Sequence, residues 1–300
     1  MISGHNIVTV RDEIEISKVG ICDAHNHIWI NPVEILNPED PVLNQLETIK
    51  DELVDYKNSG ANSIVDCQPG GCERDGDKLR FLSDFSGVNI IACTGFHLQR
   101  YYPPDYWLFR TGVEQAVNFF IEELEGSIVD VKGGSQPIRA GLIKIACEEK
   151  YEKSPVQLIE AAVSASMQTG APIECHTERG FDAEKIADEI LKFGLTPGKL
   201  ILCHLDKRLD FDFHESMMDR GIMLEYDTFY HEKYNLEENV WPLLENMMQH
   251  GYGSNIVLAT DMADARMWNR FGGGPGLVGF ITEIRARLVK MSLEKKRLID

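Results

Sequence analysis

The pentapeptide Asp23-Ala24-His25-Asn26-His27 closes an apolar run, with its two histidines two positions apart. Side chains alternate along a strand, so His25 and His27 point to the same side and offer a pair of imidazole nitrogens. Such a pair suits a borderline metal such as zinc. A His-x-His taken alone arises by chance about as often as by function, so its meaning depends on its company. That company is three further run ends: Glu174-Cys175-His176, Leu202-Cys203-His204 and Ala259-Thr260-Asp261. Four of the nine histidines and one carboxylate thus stand where short apolar segments stop. Lys144 differs from these, lying inside Gly141-Leu142-Ile143-Lys144-Ile145-Ala146 among branched aliphatics. A bare ammonium buried there is costly, so it must be paired, neutral or chemically altered. The pairing alternative is a salt bridge to Glu174 or Asp261.

The elements that must position these residues form a repeating pattern. Apolar runs rich in Val, Ile, Leu and Cys predict strands at 21–25, 63–67, 90–94, 141–146, 172–176, 200–204, 221–226 and 256–261. They read as parallel strands covered on both faces. Amphipathic stretches at 43–58, 76–85, 113–124, 155–168, 183–192, 210–219, 237–249 and 278–295 predict helices between them. Gly60, Gly126, Gly170 and Gly194 stand where left-handed helix caps are wanted. Eight strands alternating with eight helices give the count of a (β/α)8 TIM barrel, an α/β fold, as a single domain over residues 1–300. An open doubly wound sheet has the same alternation. In a closed barrel the C-terminal strand ends converge on one cavity, which would unite the candidate ligands. No repeat, low-complexity tract or Pro/Ser-rich linker marks a boundary. Two stretches exceed what a barrel needs, 97–110 and 227–236, and both follow strand ends.

Composition narrows the partners. The 300 residues carry 48 acidic against 30 basic side chains, a formal net charge of −18. Such a chain repels nucleic acid and anionic membranes, so neither is an expected partner. No stretch is long and apolar enough to read as a membrane span. The opening MISGHNIVTVRDEIEI lacks the basic start and apolar run of a signal peptide. Seven cysteines without a tight pattern argue against a disulfide framework and for small buried hydrophobes in a reducing cytoplasm.

Together, the His25/His27 pair, Lys144, His176, His204 and Asp261 resemble the phosphotriesterase-like branch of the amidohydrolase superfamily. The resemblance covers most of the chain. It implies two divalent metal ions, zinc first, with manganese or cobalt as alternatives. It also implies that Lys144 is carboxylated and bridges both ions. His25, His27 and Asp261 would bind one ion, and His176 and His204 the other. Two divalent ions sharing a water lower its pKa enough to supply hydroxide near neutral pH. Asp261 would accept the water proton and return it to the leaving group, the catalytic role. The family suggests a homodimer. Another amidohydrolase reaction, such as cyclic-amide opening or base deamination, is one alternative. A silent small-molecule binding protein on the same fold is a second.

The resemblance leaves several ester substrates open: organophosphate triesters, acyl-homoserine lactones and sugar lactones. The pocket is expected from the loops after the seventh and eighth strands, with help from the first and third. The seventh reads Asp227-Thr228-Phe229-Tyr230-His231-Glu232-Lys233-Tyr234, and the eighth runs from Met262 through Arg266 to a glycine run. These loops are too polar to predict an apolar groove for acyl chains. Lys233, Tyr234 and Arg266 supply cations and a hydroxyl that would suit a phosphate. The Lys-Tyr pair is similar to that of relatives acting on phosphorylated sugar lactones. The expected substrate is therefore an aldono-lactone, free or phosphorylated. Trp29, Phe96, His97, Tyr101 and Tyr102 are expected near the cavity mouth, with Tyr101-Tyr102-Pro103-Pro104 as a rigid flap or partner contact.

Overall fold

Asp23 begins the polar end of the first barrel strand and also helps to close the barrel. In the structure, a computed structural model describing residues 6–32, 41–132 and 136–299, eight parallel strands lie side by side in chain order. They follow an antiparallel hairpin of β1 (Asn6–Val8) and β2 (Glu13–Glu15). The barrel strands are β3 (Cys22–Asn26), β4 (Ser63–Asp66), β5 (Asn89–Gly95), β6 (Leu142–Ala146), β7 (Ile173–His176), β8 (Leu200–Leu202), β9 (Met223–Tyr226) and β10 (Ile256–Leu258). Between them run α1 (Leu46–Asn58), α2 (Gly76–Ser86), α3 (Val113–Glu125), α4 (Val156–Thr169), α5 (Ala183–Lys192), α6 (Phe211–Asp219) and α7 (Val240–Gln249). After β10 the chain makes a π-helical turn, Phe280–Arg285, and continues as α8 (Ala286–Ile299).

The seam between first and last strands settles the choice between barrel and open sheet. The Asp261 N–H donates to His25 O at 3.0 Å. Beside it, Thr260 Oγ1 donates to Asp23 Oδ2 at 2.5 Å, and Asn26 Nδ2 to Thr260 Oγ1 at 2.9 Å. Burial raises the Asp23 carboxyl to about 7, while these donors oppose the shift. The fold is thus the predicted TIM barrel, closed by side chains as much as by backbone.

Several boundaries differ from the sequence reading for physical reasons. The helix expected from 43 starts at Leu46, because Leu43 pairs with Ile30 in an isolated bridge. The expected strands 200–204 and 256–261 stop at Leu202 and Leu258. His204 (φ 66) and Asp261 (φ 45) lie in the left-handed region and cannot continue a ladder. Gly170 caps α4 at φ 82, whereas Gly126 closes α3 at φ −103, outside the left-handed region. The hairpin was not anticipated. It packs across the N-terminal end of the barrel, where Val10 is buried and its N–H donates to Ile90 O at 2.9 Å.

The main core lies between strands and helices. A smaller cluster of Val65, Cys67, Ile91, Cys93 and Leu142 fills the barrel's interior. Above it the lining turns polar, with Lys144, Glu174 and Glu225 all buried. Gly95 allows this arrangement, since a Cβ there would sit 1.8 Å from Lys144 O. None of the seven cysteines forms a disulfide among the described residues, and six are buried.

Candidate metal centre

His25 and His27 leave the end of β3 and His176 ends β7. His204 and Asp261 follow β8 and β10 on their left-handed turns. The five converge on one cavity of about 330 Å³. Asp261 Oδ1 lies 3.6 Å from His25 Nε2 and 3.5 Å from His27 Nε2. The three ligand atoms form a group able to hold one ion. His176 Nδ1 and His204 Nε2 face each other at 2.8 Å, a second nitrogen pair.

Three of the four rings have a polar partner at Nδ1, on the side away from the cavity. His25 Nδ1 lies 2.7 Å from Glu225 Oε1, and His27 Nδ1 lies 2.8 Å from Gln68 Oε1. His204 Nδ1 lies 2.7 Å from Asp227 Oδ2. Acceptors at Nδ1 leave Nε2 with its lone pair toward the cavity, the state a metal requires. Protonation is set in the same sense. Burial pushes His25 well below the usual range and His176 down to about 3, so both are neutral. At His27 burial pulls the same way, but Asp261 outweighs it and raises the value. Burial works against the Asp261 charge, yet His27, His25 and His204 hold its carboxyl well below the ordinary range. A carboxylate among imidazole nitrogens is the donor set of a divalent ion, so His25, His27 and Asp261 fit one ion and the His176/His204 pair offers two nitrogens to a second.

Lys144 is fully buried, its Nζ 2.6 Å from Glu174 Oε1 and 3.4 Å from both His25 nitrogens. As a free amine it is thus paired with Glu174, one of the two partners weighed from the sequence. Burial disfavours the Glu174 charge, but Lys144 and His25 hold it at about 2. Lys144 sits directly beneath His25, at the floor of the centre.

The cavity walls differ from the expected pocket. Ile30, Pro32, Pro41 and Val42 build an apolar wall from the loop after β3, which polar loops seven and eight had not predicted. His97 and Tyr101 add a wall from the loop after β5, whereas Trp29, Phe96 and Tyr102 are buried in the core. The Tyr102 hydroxyl accepts from the His97 N–H at 2.9 Å and so supports that loop. Lys233, Tyr234 and Arg266 do not line the cavity. Lys233 is exposed, and the Arg266 side chain is 90% exposed and paired with Asp264. Tyr234 is half-buried. Lys207, which the sequence did not single out, does line the cavity. Glu225 and Asp227 were also missed as orienting groups, although Leu224-Glu225-Tyr226-Asp227 alternates acidic and apolar residues as a barrel strand with one acidic face would.

Comparison with known proteins accords with this geometry. A phospho-furanose lactonase of Mycoplasmopsis agalactiae is 27% identical over 73% of this chain. This chain spans 65% of that relative's length. An N-acetyltaurine hydrolase of Xenopus tropicalis is 27% identical over 83% of this chain and 73% of its own. The solved lactonase Lmo2620 of Listeria monocytogenes superposes with a TM-score of 0.89 at 22% identity, covering 97% of this chain and 92% of its own, and shares the fold. The model of the phosphotriesterase family matches residues 5–295, and the chain belongs to that family.

Proposed function

We propose that the chain is a metal-dependent lactonase that opens a sugar lactone, with phosphorylated lactones as the preferred class. The observation that carries this reading is the pairing of His25, His27 and Asp261 beside the facing nitrogens of His176 and His204. The phospho-furanose lactonases among its relatives support the substrate class. In this reading His25, His27 and Asp261 hold one divalent ion and His176 and His204 the other, with zinc as the metal. Lys144, if carboxylated on Nζ, would supply an anionic oxygen ligand in place of a buried cation.

Where bound, such ions would supply Lewis acidity at the scissile carbonyl and would make water a better nucleophile near neutral pH. Asp261, ionised between its histidines, takes the water proton on a carboxylate oxygen and returns it to the leaving alkoxide. Glu225 and Gln68 keep the His25 and His27 imidazoles in the required tautomer, and the Asp227 carboxylate lies 2.7 Å from His204 Nδ1. The apolar wall of Ile30, Pro32, Pro41 and Val42 favours a second reading, an acyl-homoserine lactonase. We further propose a homodimer in the cytoplasm, where cysteine thiols stay reduced.

The test is proton release in weak buffer from a panel of metal-loaded reactions. The panel holds aldono-lactones with and without a terminal phosphate, acyl-homoserine lactones and an activated phosphotriester. A preference for phosphorylated aldono-lactones is expected. Turnover of the acyl-homoserine lactones alone would transfer the assignment to the second reading. Two bound ions with no turnover of any ester would leave a binding protein.

A further inference from the structure

Lys207 ends the 3-10 turn Leu205–Lys207 that follows His204, and it lines the same cavity as the candidate ligands. Among the cavity's described lining residues it is the one lysine or arginine. Its ammonium has no carboxylate at ion-pairing distance among the described residues. The acids nearby each direct at least one oxygen to other groups. Asp227 holds His204, and Asp261 faces His25 and His27. Asp206 Oδ2 accepts from the Thr228 hydroxyl at 2.6 Å and from the N–H groups of Thr228 and Asp227. A lysine head group at a cavity wall carries its ordinary ammonium charge at neutral pH.

A half-buried cation at a cavity wall, short of acceptors among the described residues, is prepared for an anion brought by a ligand. Tyr234 steadies it: the Lys207 ammonium lies 5.5 Å from the centroid of that ring, and Lys233 lies 5.0 Å from the same ring. The Lys233/Tyr234 pair, outside the cavity lining, thus reaches the cavity only by way of Lys207.

We propose that Lys207 is the specificity-determining residue that receives the substrate's phosphate, with Tyr234 as its positioning residue. This assignment rests on the phosphorylated-lactone reading above and names the side chain behind it. It puts the anion beside the loop after β8, rather than on Lys233 and Arg266 at the exposed rim.

The experiment uses the metal-loaded full chain. It measures kcat/KM for an aldono-lactone with and without its terminal phosphate, and calorimetric binding of the phosphorylated open-chain acid. Lys207→Met should lower the preference for the phosphorylated lactone by roughly 10–100-fold, mainly through KM, and weaken acid binding by a similar factor. Lys207→Arg, which keeps the charge, should retain most of both. Unchanged preference and affinity in Lys207→Met, or a loss seen only in Lys233→Met, would overturn the assignment. A wild-type chain that opens lactones with no phosphate preference also overturns it, while leaving the lactonase reading in place. A chain that opens no lactone yet binds the phosphorylated acid through Lys207 sinks only the lactonase reading.

Discussion

Asp261 meets its histidines from a backbone conformation that carries strain. At φ 45 a non-glycine residue costs on the order of 1 kcal/mol or more, and such costs persist where surrounding contacts fix the geometry. Here the fixing contact is the Asp261 N–H to His25 O at 3.0 Å, which aims the carboxylate between His25 and His27. Asp261→Asn keeps the shape and removes the proton acceptor. Turnover measured at matched metal content should fall by roughly 10²–10⁴-fold, with circular dichroism unchanged. Near-normal turnover would remove Asp261 from proton transfer. Lys144 calls for a different measurement, since its proposed role is to hold metal. Lys144→Ala should reduce bound metal below one ion per chain by elemental analysis, and added short carboxylic acids should restore part of it. Two ions retained in that variant would assign the bridging role elsewhere, with Glu174 the nearest candidate because its Oε1 already lies 2.6 Å from Lys144 Nζ.

At the scale of elements, His214 shows how a helix is tied to the barrel away from the cavity. It lies on α6, fully buried; its Nε2 lies 2.8 Å from Arg208 O and its Nδ1 lies 2.8 Å from the Tyr226 hydroxyl at the end of β9. Burial lowers its value to about 4, so the folded chain keeps it neutral. An unfolded chain protonates it near 6.5, so protons bind the unfolded state first and stability is lost as pH falls from 6.5 toward 4. The loss attributable to His214 is on the order of 3 kcal/mol. His214→Gln can keep both hydrogen bonds without the titration. Urea midpoints of metal-free wild type and variant should therefore converge or cross as pH falls through that window. A difference independent of pH would mean that His214 is not held neutral. The strands that carry His25, His27 and His176 were legible because a period of two and an apolar run mark both an element and its inward face. His204 and Asp261 were legible as residues but not in conformation, since no pattern announces a left-handed turn after a strand. The β1–β2 hairpin escaped notice because three-residue strands leave no measurable alternation. Lys207 was hidden in the charged run Asp206-Lys207-Arg208, where only the fold separates a cavity wall from a solvated loop.

For the whole molecule, the centre is a point where distant parts of the chain meet. Its candidate ligands come from β3, β7 and the turns after β8 and β10, so metal would cross-link both sides of the seam that Asp23, Asn26 and Thr260 close. The seam is the part of the barrel with least backbone pairing, because β10 and β3 are not neighbours in the hydrogen-bonded strand order. Metal should therefore contribute to global stability rather than only to a local loop. Ions present at 1,000 times their dissociation constant stabilise by about 4 kcal/mol per site. An unfolding entropy of about 2 cal/mol/K per residue over 300 residues gives roughly 1.6 °C per kcal/mol, so filling one site should raise Tm by about 6 °C and filling both by about 13 °C. Calorimetric scans of chelator-treated protein with rising zinc check this against measured stoichiometry. One cooperative transition that moves upward with both equivalents is expected. If two ions bind and Tm does not move, the ligands are not gathered from strands on both sides of the seam, and the metal centre proposed here is wrong.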